Sequence, residues 1–233
     1  MTRGIPLSTG GRPTRYAPAV AKRNRIFLLS PAYCGGERAR LFLNPRAGFE
    51  LARRVQSEEG APIGDVFSFL SGLYFRGKLA YAREFASPPA GVPGILVITP
   101  NEGLRLPEEP VTVPRLKRYA RGDVDAKKRS YRQPLLRDAK LIAQAAGETS
   151  DVVLLGSVAS GKYVDVLVKV FGERLLFPIS FVGRGDMSRG GLMLRCSRSG
   201  VELDYVPVAG AVRHGPRPEK LPPLPRRPLE PRP

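Results

Sequence analysis

The stretch DVVLLGSVASGKYVDVL, residues 151–167, decides the fold because it combines an apolar strand, a glycine-containing turn and a helix. Apolar residues without alternation are typical of a strand covered on both faces, as in a parallel sheet. Gly156, Gly161 and Lys162 have the spacing of a phosphate-binding P-loop, but Tyr163 stands where a Ser or Thr would ligate Mg²⁺. This mismatch favours a simpler alternative, a sharp turn leading into a helix whose N-terminus attracts an anion.

Similar apolar runs and helix-like stretches alternate along the rest of the chain. Alternation of this kind predicts a single α/β domain with a mixed, mainly parallel sheet flanked by helices. Residues 192–208 predict a terminal hairpin around Ser199 and Gly200 at the sheet edge. We expect strands at 25–31, 94–100, 151–156 and 174–182, and helices at 45–56, 63–86 with a break near Gly72, 134–146 and 162–172.

Each expected strand ends in a turn of polar or glycine residues. Ligands of open α/β sheets collect at the carboxyl ends of the strands. We therefore expect Ser30, Thr99, Gly156 and Gly183 to meet on one rim of the sheet, and we place the binding site there. On the long helix-like stretch, the aromatic residues are expected in the core, whereas Arg76 and Lys78 are candidates to face this rim.

The composition argues against several kinds of chemistry. Cys34 and Cys196 are the only cysteines and His214 is the only histidine, so neither a disulfide framework, a zinc site nor a histidine-based triad is expected. No apolar run is long enough for a membrane span or a signal peptide. The sequence therefore predicts a cytoplasmic protein that has no membrane partner and needs no cofactor or metal.

The formal net charge of +17 is concentrated in three segments. Residues 1–25 carry six Lys and Arg and no acid, residues 115–137 carry nine against two acids, and residues 209–233 carry six against two. Tails of this composition are expected to be disordered, which leaves an α/β domain at residues 26–208. Concentrated cations favour polyanions, and DNA is the partner that we expect.

The internal basic segment holds the candidate nucleic-acid contacts. Tyr119 and Tyr131 are interleaved with its cations, and their rings could stack on bases. The alternative is an ordinary solvated charged face. The cations selected as candidates are Arg118, Lys127, Lys128 and Arg129.

Several of the strand-end motifs resemble those of YaaA-like proteins, the bacterial peroxide-stress family. The similar motifs are S-P-A at residues 30–32, G-L before a proline at 103–107, a Ser and Tyr opening a helix at 160 and 163, and I-S-F followed by R-G-D-M-S-R at 179–189. Members of the family follow S-P-A with Lys, whereas this chain has Tyr33 and Cys34. The resemblance, over about residues 26–196, implies a mixed α/β protein that binds DNA and limits oxidative damage to it.

The strand-end turns supply the remaining site candidates. Cys34, just before a helix-like run, is a candidate nucleophile or redox sensor, or else a small buried turn residue. Asp186 is a candidate general base, or else a structural partner of an arginine. Glu102 could add a carboxylate to the rim, although a solvated turn residue needs no such role. The anion-binding candidates are Lys162, Tyr163, Arg184, Ser188 and Arg189.

These observations predict a nucleic-acid-associated protein in DNA protection or processing. Two alternatives remain open. The rim could belong to an enzyme acting on a small phosphorylated or nucleobase-containing substrate, or the tail LPPLPRRPLEP could bind a polyproline-reading domain. The sequence leaves the oligomeric state undetermined.

Overall fold

A computed structural model describes residues 23–222 of the chain. The basic tail predicted at residues 1–25 lies almost entirely outside the described residues, and so does the second tail after residue 222. Most of the polyproline-like segment is therefore also outside them. In the described part, none of the helices combines the length and the apolar character that a membrane span requires.

The described residues form eight strands and eight helices, with short 3₁₀ turns at Gly172–Arg174 and Ile179–Phe181. In chain order these elements are β1 (Asn24–Leu29), α1 (Glu37–Leu43), α2 (Glu50–Gln56), β2 (Ala61–Pro62), α3 (Ile63–Ser71), α4 (Leu73–Phe85), β3 (Ile95–Ile98), β4 (Leu104–Arg105), β5 (Pro110–Val111), α5 (Val113–Ala120), α6 (Arg129–Ala146), β6 (Ser150–Leu155), α7 (Gly161–Phe171), β7 (Leu175–Pro178), α8 (Asp186–Ser199) and β8 (Tyr205–Pro207).

The main sheet has six strands in the order β4-β3-β1-β6-β7-β8. The four central strands β3, β1, β6 and β7 are parallel, and the edge strands β4 and β8 pair antiparallel with their neighbours. The predicted class, an α/β domain with a mixed, mainly parallel sheet, is thereby confirmed. The predicted strands correspond to β1, β3, β6 and β7.

Helices cover both faces of the sheet, as the continuous apolar strands predict. Along β1, Phe27 and Leu29 point into a core with α1 to α5 and α8, whereas Ile26 and Leu28 point into a second core with α6 and α7. All four side chains are completely buried. Alternate residues of one strand thus serve two cores, which explains why no polar position interrupts the run.

The break predicted near Gly72 is confirmed, since α3 ends at Ser71 and α4 begins at Leu73. Gly72 has φ of 58° and ψ of −128°, a conformation that a residue with a side chain rarely adopts. This turn sets the direction of α4, and α4 carries residues that prove central to the site.

The predicted hairpin at 192–208 is wrong. Residues up to Ser199 continue α8, which ends at Gly200 in the left-handed conformation, and only β8 reaches the sheet edge beside β7. Met193 and Cys196 are buried at helical spacing. The Ser199-Gly200 pair therefore marks a helix C-terminus rather than a hairpin turn, a use of glycine that is equally common.

The helices α4 and α8 cross at two glycines. A Cβ atom on Gly77 would lie 2.5 Å from the carbonyl oxygen of Gly190, and a Cβ on Gly190 would lie 2.7 Å from the carbonyl oxygen of Leu73. The two backbones are therefore in direct contact. This crossing brings the neighbours of these glycines, Lys78 and Arg189, towards the carboxyl ends of the strands.

The chain after β8 has no helix or strand up to residue 222, but it contacts the domain. Arg184 Nη1 donates to the carbonyl oxygen of Glu219 at 3.3 Å, and Arg195 donates to the carbonyl of Pro222. The first half of the segment predicted as a tail from residue 209 thus runs along the start and the middle of α8.

Candidate functional site

A cavity of about 560 Å³ lies at the carboxyl ends of β1 and β6. The chain passes from β1 to β3 on one side and then returns to β6 on the other side of β1, so this is the point where the direction of strand addition reverses. Crevices at such switch points are the usual ligand sites of open α/β sheets. We call this space the strand-end cavity; the residues that matter most in its wall are Ser30, Tyr74, Ser157, Ser160, Lys162, Tyr163 and Asp186.

Lys78 lies directly beneath the strand-end cavity and is completely buried. Its Nζ donates to the carbonyl oxygen of Ser30 at 2.5 Å and lies 2.9 Å from Ser30 Oγ. Burial lowers the pKa of Lys78 to about 7, although the negative charge of Asp186 opposes this shift. At neutral pH the amine is therefore close to the midpoint between its charged and neutral forms.

Aromatic rings surround the ammonium group. Lys78 Nζ lies 4.4 Å from the ring centroid of Tyr74 and 4.7 Å from that of Phe75. Ring faces attract a cation, but they replace only part of the hydration that burial removes. The environment of Lys78 thus explains both how a protonated amine is tolerated and why its proton is easily lost.

Two tyrosines line the cavity above this lysine. Tyr74 is 7% exposed, and its buried hydroxyl lies close to Ser30 and Arg189 but makes no hydrogen bond of normal geometry within the described residues. Burial raises the pKa of Tyr74 to about 12 and also raises the pKa of Tyr163. Both phenols therefore keep their protons at neutral pH and are available to donate hydrogen bonds.

The N-terminus of α7 forms the opposite wall. Ser160 precedes the helix, but its side chain makes no capping hydrogen bond, so the first N–H groups of α7 have no internal partner. Lys162, in the first turn, is exposed and lines the cavity. The strand, turn and helix predicted around Gly156 and Gly161 are confirmed, and they direct the helix dipole and the charge of Lys162 at the cavity, whose wall also carries Arg38 and the carboxylates of Glu37 and Asp186.

Arg184 and Arg189, predicted to bind an anion, make hydrogen bonds within the protein instead. Arg189 Nε and Nη2 donate to the carbonyl oxygen of Phe181 at 3.2 and 3.1 Å, and its Nη1 lies 3.4 Å from Asp186. Arg184 donates to the carbonyl of Ser180 and to Ser188 Oγ. These contacts hold the turn that begins α8, so of this motif only Asp186 lines the strand-end cavity.

Cys34 does not have the properties of a reactive thiol. It is 3% exposed, and its Sγ contacts the carbonyl oxygen of Ala32 at 3.5 Å. Burial raises its pKa to about 12, the opposite of what a nucleophilic cysteine needs. The helix that follows, α1, begins at Glu37 and does not offset this desolvation.

Of the four residues predicted to meet on one rim, Ser30 and Gly156 pack against each other, whereas Gly183 packs against Gly215 and Pro216 and does not line the cavity. Thr99 is completely buried and its Oγ1 donates to the carbonyl oxygen of Gly103, so it closes a turn instead of lining the cavity. Glu102 is not a solvated residue, because its carboxylate is paired with neighbouring side chains. Arg115 Nη2 lies 2.6 Å from Glu102 Oε2, and the Tyr119 hydroxyl donates to the same oxygen at 2.9 Å. Burial raises the pKa of Glu102, but these hydrogen bonds outweigh it and lower the pKa below its usual value.

Only some side chains of the internal basic segment are available to contact nucleic acid. Tyr119 and Tyr131 are 1% and 0% exposed, so the expectation that they stack on bases is wrong. Arg118 pairs with Glu102 at 3.2 Å, and Lys128 lies 3.8 Å from Asp123. In the described part of the chain, the exposed cations of this region that form no ion pair are Lys117, Arg121, Lys127, Arg129, Arg132 and Lys140.

Sequence reasoning placed Lys162, Tyr163 and Asp186 at the site but assigned no role to Tyr74 or to the hydroxyl of Ser30. Tyr74 has the helical spacing of a core residue, and it is indeed buried. Arg76, the other cation considered on this helix, is exposed and lines a different hollow beside Arg38 and Met187. The useful signal was a lysine placed among apolar residues at core spacing, because an unpaired lysine is rarely buried without a function.

No family model, no curated protein and no solved structure matches this chain. The resemblance to YaaA-like proteins therefore stays a prediction. Within residues 23–222, no group of three or more His, Cys, Asp or Glu side chains is arranged to hold a metal ion.

Proposed function

We propose that this protein is an enzyme that acts on a small anionic substrate in the strand-end cavity. The observation that carries the proposal is the contact between Lys78, which is completely buried, and Ser30, which lines the cavity. Both cysteines are free, which agrees with a reducing cytoplasm as the place of action.

A buried lysine without a carboxylate partner is expensive for the fold. Desolvation of an ammonium group costs several kcal/mol in proteins, on the order of the total stability of a domain. The only hydrogen-bond partners of Lys78 among the described residues are the two oxygens of Ser30. Groups whose pKa is shifted towards neutrality beside a cavity are characteristic of acid–base catalysis.

The opposite wall indicates what the substrate carries. Lys162 and the free N–H groups of α7 favour a phosphate or carboxylate, as helix N-termini commonly do. The buried hydroxyl of Tyr74, which makes no hydrogen bond of normal geometry within the described residues, offers an additional hydrogen bond. The cavity volume of about 560 Å³ lies within the usual range of small-molecule sites. A phosphorylated or nucleobase-containing metabolite fits this description.

Thermal denaturation with candidate ligands tests the proposal. Inorganic phosphate, free nucleobases and mononucleotides are added to the full chain, and ligand binding to the native state raises Tm by mass action. We expect a mononucleotide or phosphate to raise Tm, and Lys162→Ala to reduce the shift. Lys169→Ala, at the other end of the same helix, is the matched control and should retain it. An equal loss in both variants, or no shift with any of these probes, would contradict the proposal.

A second candidate function is contact with nucleic acid. It is supported by the six exposed cations without ion-pair partners between residues 117 and 140 and by the net charge of +17. Phosphate contacts by such cations depend on salt but carry little base specificity. The resemblance to YaaA-like proteins would connect this binding to DNA protection under oxidative stress.

The salt dependence of DNA binding tests this second candidate. Removal of a phosphate contact reduces the slope of log affinity against log salt by about one unit. Substitution of Lys127, Arg129 and Arg132 by Gln should therefore lower the slope by several units, whereas Arg53→Gln with Arg54→Gln on α2 should not. Equal slopes for all three proteins would exclude this surface as the binding site.

A further inference from the structure

We infer that Ser30 is a nucleophile activated by Lys78, and that the strand-end cavity carries out acyl transfer on a small anionic ester, thioester or amide. This inference rests on the proposed function, because it assigns a reaction to the same cavity. It is carried by the 2.9 Å separation of Lys78 Nζ and Ser30 Oγ, by the complete burial of the lysine and by the position of Ser30 in the cavity wall.

The two side chains have the arrangement that a serine–lysine pair needs. Ser30 follows β1 and lies between the cavity and Lys78, which approaches from α4 below. When the amine is neutral, one N–H donates to the Ser30 carbonyl oxygen and the lone pair accepts the Ser30 hydroxyl proton. A nucleophilic hydroxyl in hydrogen-bond contact with a general base is the common element of covalent catalysis by serine.

Neighbouring backbone limits where the Ser30 side chain can lie. A Cβ atom on Gly156 would lie 2.9 Å from Ser30 Cβ and 3.2 Å from Ser30 Oγ, so the end of β6 packs directly against the serine. The end of β6 therefore lies on one side of Ser30, and Lys78 lies within hydrogen-bond distance of its hydroxyl. A fixed position of this kind removes part of the entropic barrier to attack.

The proposed reaction passes through an ester between Ser30 and the acyl group of the substrate. Ser30 Oγ forms a bond to the substrate carbonyl carbon while its proton moves to Lys78 Nζ, which gives a tetrahedral oxyanion. The bond from carbon to the leaving group then breaks, and the leaving group takes the proton from Lys78. Water attacks the resulting acyl ester, gives a proton to Lys78, and the bond between Oγ and carbon breaks with return of that proton to Ser30.

The cavity offers neutral donors for the oxyanion. The buried Tyr74 hydroxyl lies close to Ser30, makes no hydrogen bond of normal geometry within the described residues and keeps its proton, and the Ser160 side chain does not cap the first N–H groups of α7. Donors that are already fixed in position stabilise a single developing charge effectively. Lys78 is the basic side chain that is hydrogen-bonded to Ser30 among residues 23–222, whereas Arg38 and Lys162 lie elsewhere in the cavity wall.

Three other serines lie in the wall of the same cavity. They are Ser71, Ser157 and Ser160, and none of them makes a hydrogen bond to a basic side chain of the described residues. Their hydroxyl groups therefore lack a general base. The inference distinguishes one of four cavity serines, so the site of the adduct tests it directly.

The test is labelling of the full chain with a fluorophosphonate probe, followed by peptide mass spectrometry. We expect one adduct, on Ser30, and its loss in Ser30→Ala. Lys78→Met should slow labelling by at least about 100-fold, the lower range for removal of a general base. Ser130→Ala, at an exposed position on α6 that does not line this cavity, should be labelled at the rate of the native protein.

The pH profile of labelling keeps the inference testable if Lys78→Met does not fold. In the native protein the rate should rise with the neutral fraction of one group and level off above pH of about 7. Absence of an adduct on Ser30, an adduct that persists in Ser30→Ala, or a rate independent of pH would overturn the inference. Ligand-induced Tm shifts without labelling would contradict acyl transfer alone, whereas labelling without Tm shifts would contradict the anionic substrate alone.

Discussion

Lys78 Nζ lies 2.9 Å from Ser30 Oγ, although the two residues are 48 positions apart in the sequence. The contact joins the middle of α4 to the end of the central strand β1. Since the amine has no carboxylate partner in the described structure, its protonated form is held only by two serine oxygens and two aromatic rings. This relationship has a consequence for stability as well as for chemistry.

We predict that the free energy of unfolding rises with pH between about 7 and the ordinary lysine pKa of 10.5 because of Lys78. In this window the unfolded chain binds a proton at this lysine and the folded chain does not, so each increase in pH favours folding. The contribution is fully favourable above the unfolded pKa and is lost as pH falls through the folded pKa. Urea denaturation at several pH values measures it.

Lys78→Met is the comparison that isolates this effect, because methionine fills a similar volume without titrating. The tyrosines and the other lysines remain in both proteins and cancel in the difference. Below pH 7 we expect Lys78→Met to be more stable than the native protein, because the native fold must then bury a charged amine. This difference in the free energy of unfolding should shrink as pH approaches 10.5. A difference that does not change with pH would show that Lys78 stays protonated in the fold.

Glu102 is predicted to be important for stability rather than for catalysis. Its carboxylate accepts from Arg115 and from the Tyr119 hydroxyl, and all three side chains are mostly buried. Glu102→Gln should lower the free energy of unfolding by about 2 kcal/mol at neutral pH, because charge-assisted hydrogen bonds are lost and a guanidinium is left with fewer partners. Chemical denaturation measures this loss.

The stabilisation by Glu102 should depend on pH, and a variant of an exposed ion pair serves as its control. Since the pKa of Glu102 is lowered in the fold, its contribution is present above the ordinary value of 4.5 and is lost as pH falls below it. Glu108→Gln should change little, by less than about 0.5 kcal/mol, since its ion pair with Arg83 is 3.7 Å long and exposed. Equal losses in the two variants would argue against a special role of the cluster.

Cys34 and Cys196 are predicted to be unreactive in the native protein. Both are free and buried, and burial raises the pKa of each thiol. In a titration with Ellman's reagent at mildly alkaline pH, we expect reaction only as fast as the chain opens, and two equivalents after denaturation. Ala159→Cys, at an exposed position, should react at once and serves as the positive control. Rapid reaction of Cys34 would restore it as a redox candidate.

Local patterns were sufficient for much of the fold. The apolar runs that became β1 and β6 are buried on both faces, and the break at Gly72 needs a backbone conformation that favours glycine. These features depend on neighbours in the sequence, so composition and periodicity reveal them. The rim followed from topology, because carboxyl ends of parallel strands share one edge.

The partners of the site residues could not be predicted in the same way. Whether Arg189 faces a ligand or the carbonyl of Phe181, and whether Glu102 is solvated or paired with Arg115, depends on packing between distant elements. In the sequence, Tyr131 is an aromatic residue among cations, but in the structure it lies on the face of α6 that packs into the core. Sequence spacing gives the face of a helix but not what covers that face.

The crossing of α4 and α8 is the contact on which the position of Lys78 depends, and Gly77→Ala is predicted to disturb it. The added Cβ would lie 2.5 Å from the carbonyl oxygen of Gly190, a backbone atom that cannot move aside alone. Overpacking of this kind costs about 1–3 kcal/mol, more than the gain from higher helix propensity. Gly191→Ala is the matched control, since its Cβ would meet nothing within 4 Å, and it should be neutral or stabilising.

Because separation of the helices would also draw Lys78 away from Ser30, Gly77→Ala should slow fluorophosphonate labelling even where the variant is folded. Unfolding curves and labelling rates of the two variants check both effects, and a Gly77→Ala protein as stable and as reactive as Gly191→Ala would show that the crossing does not position the lysine.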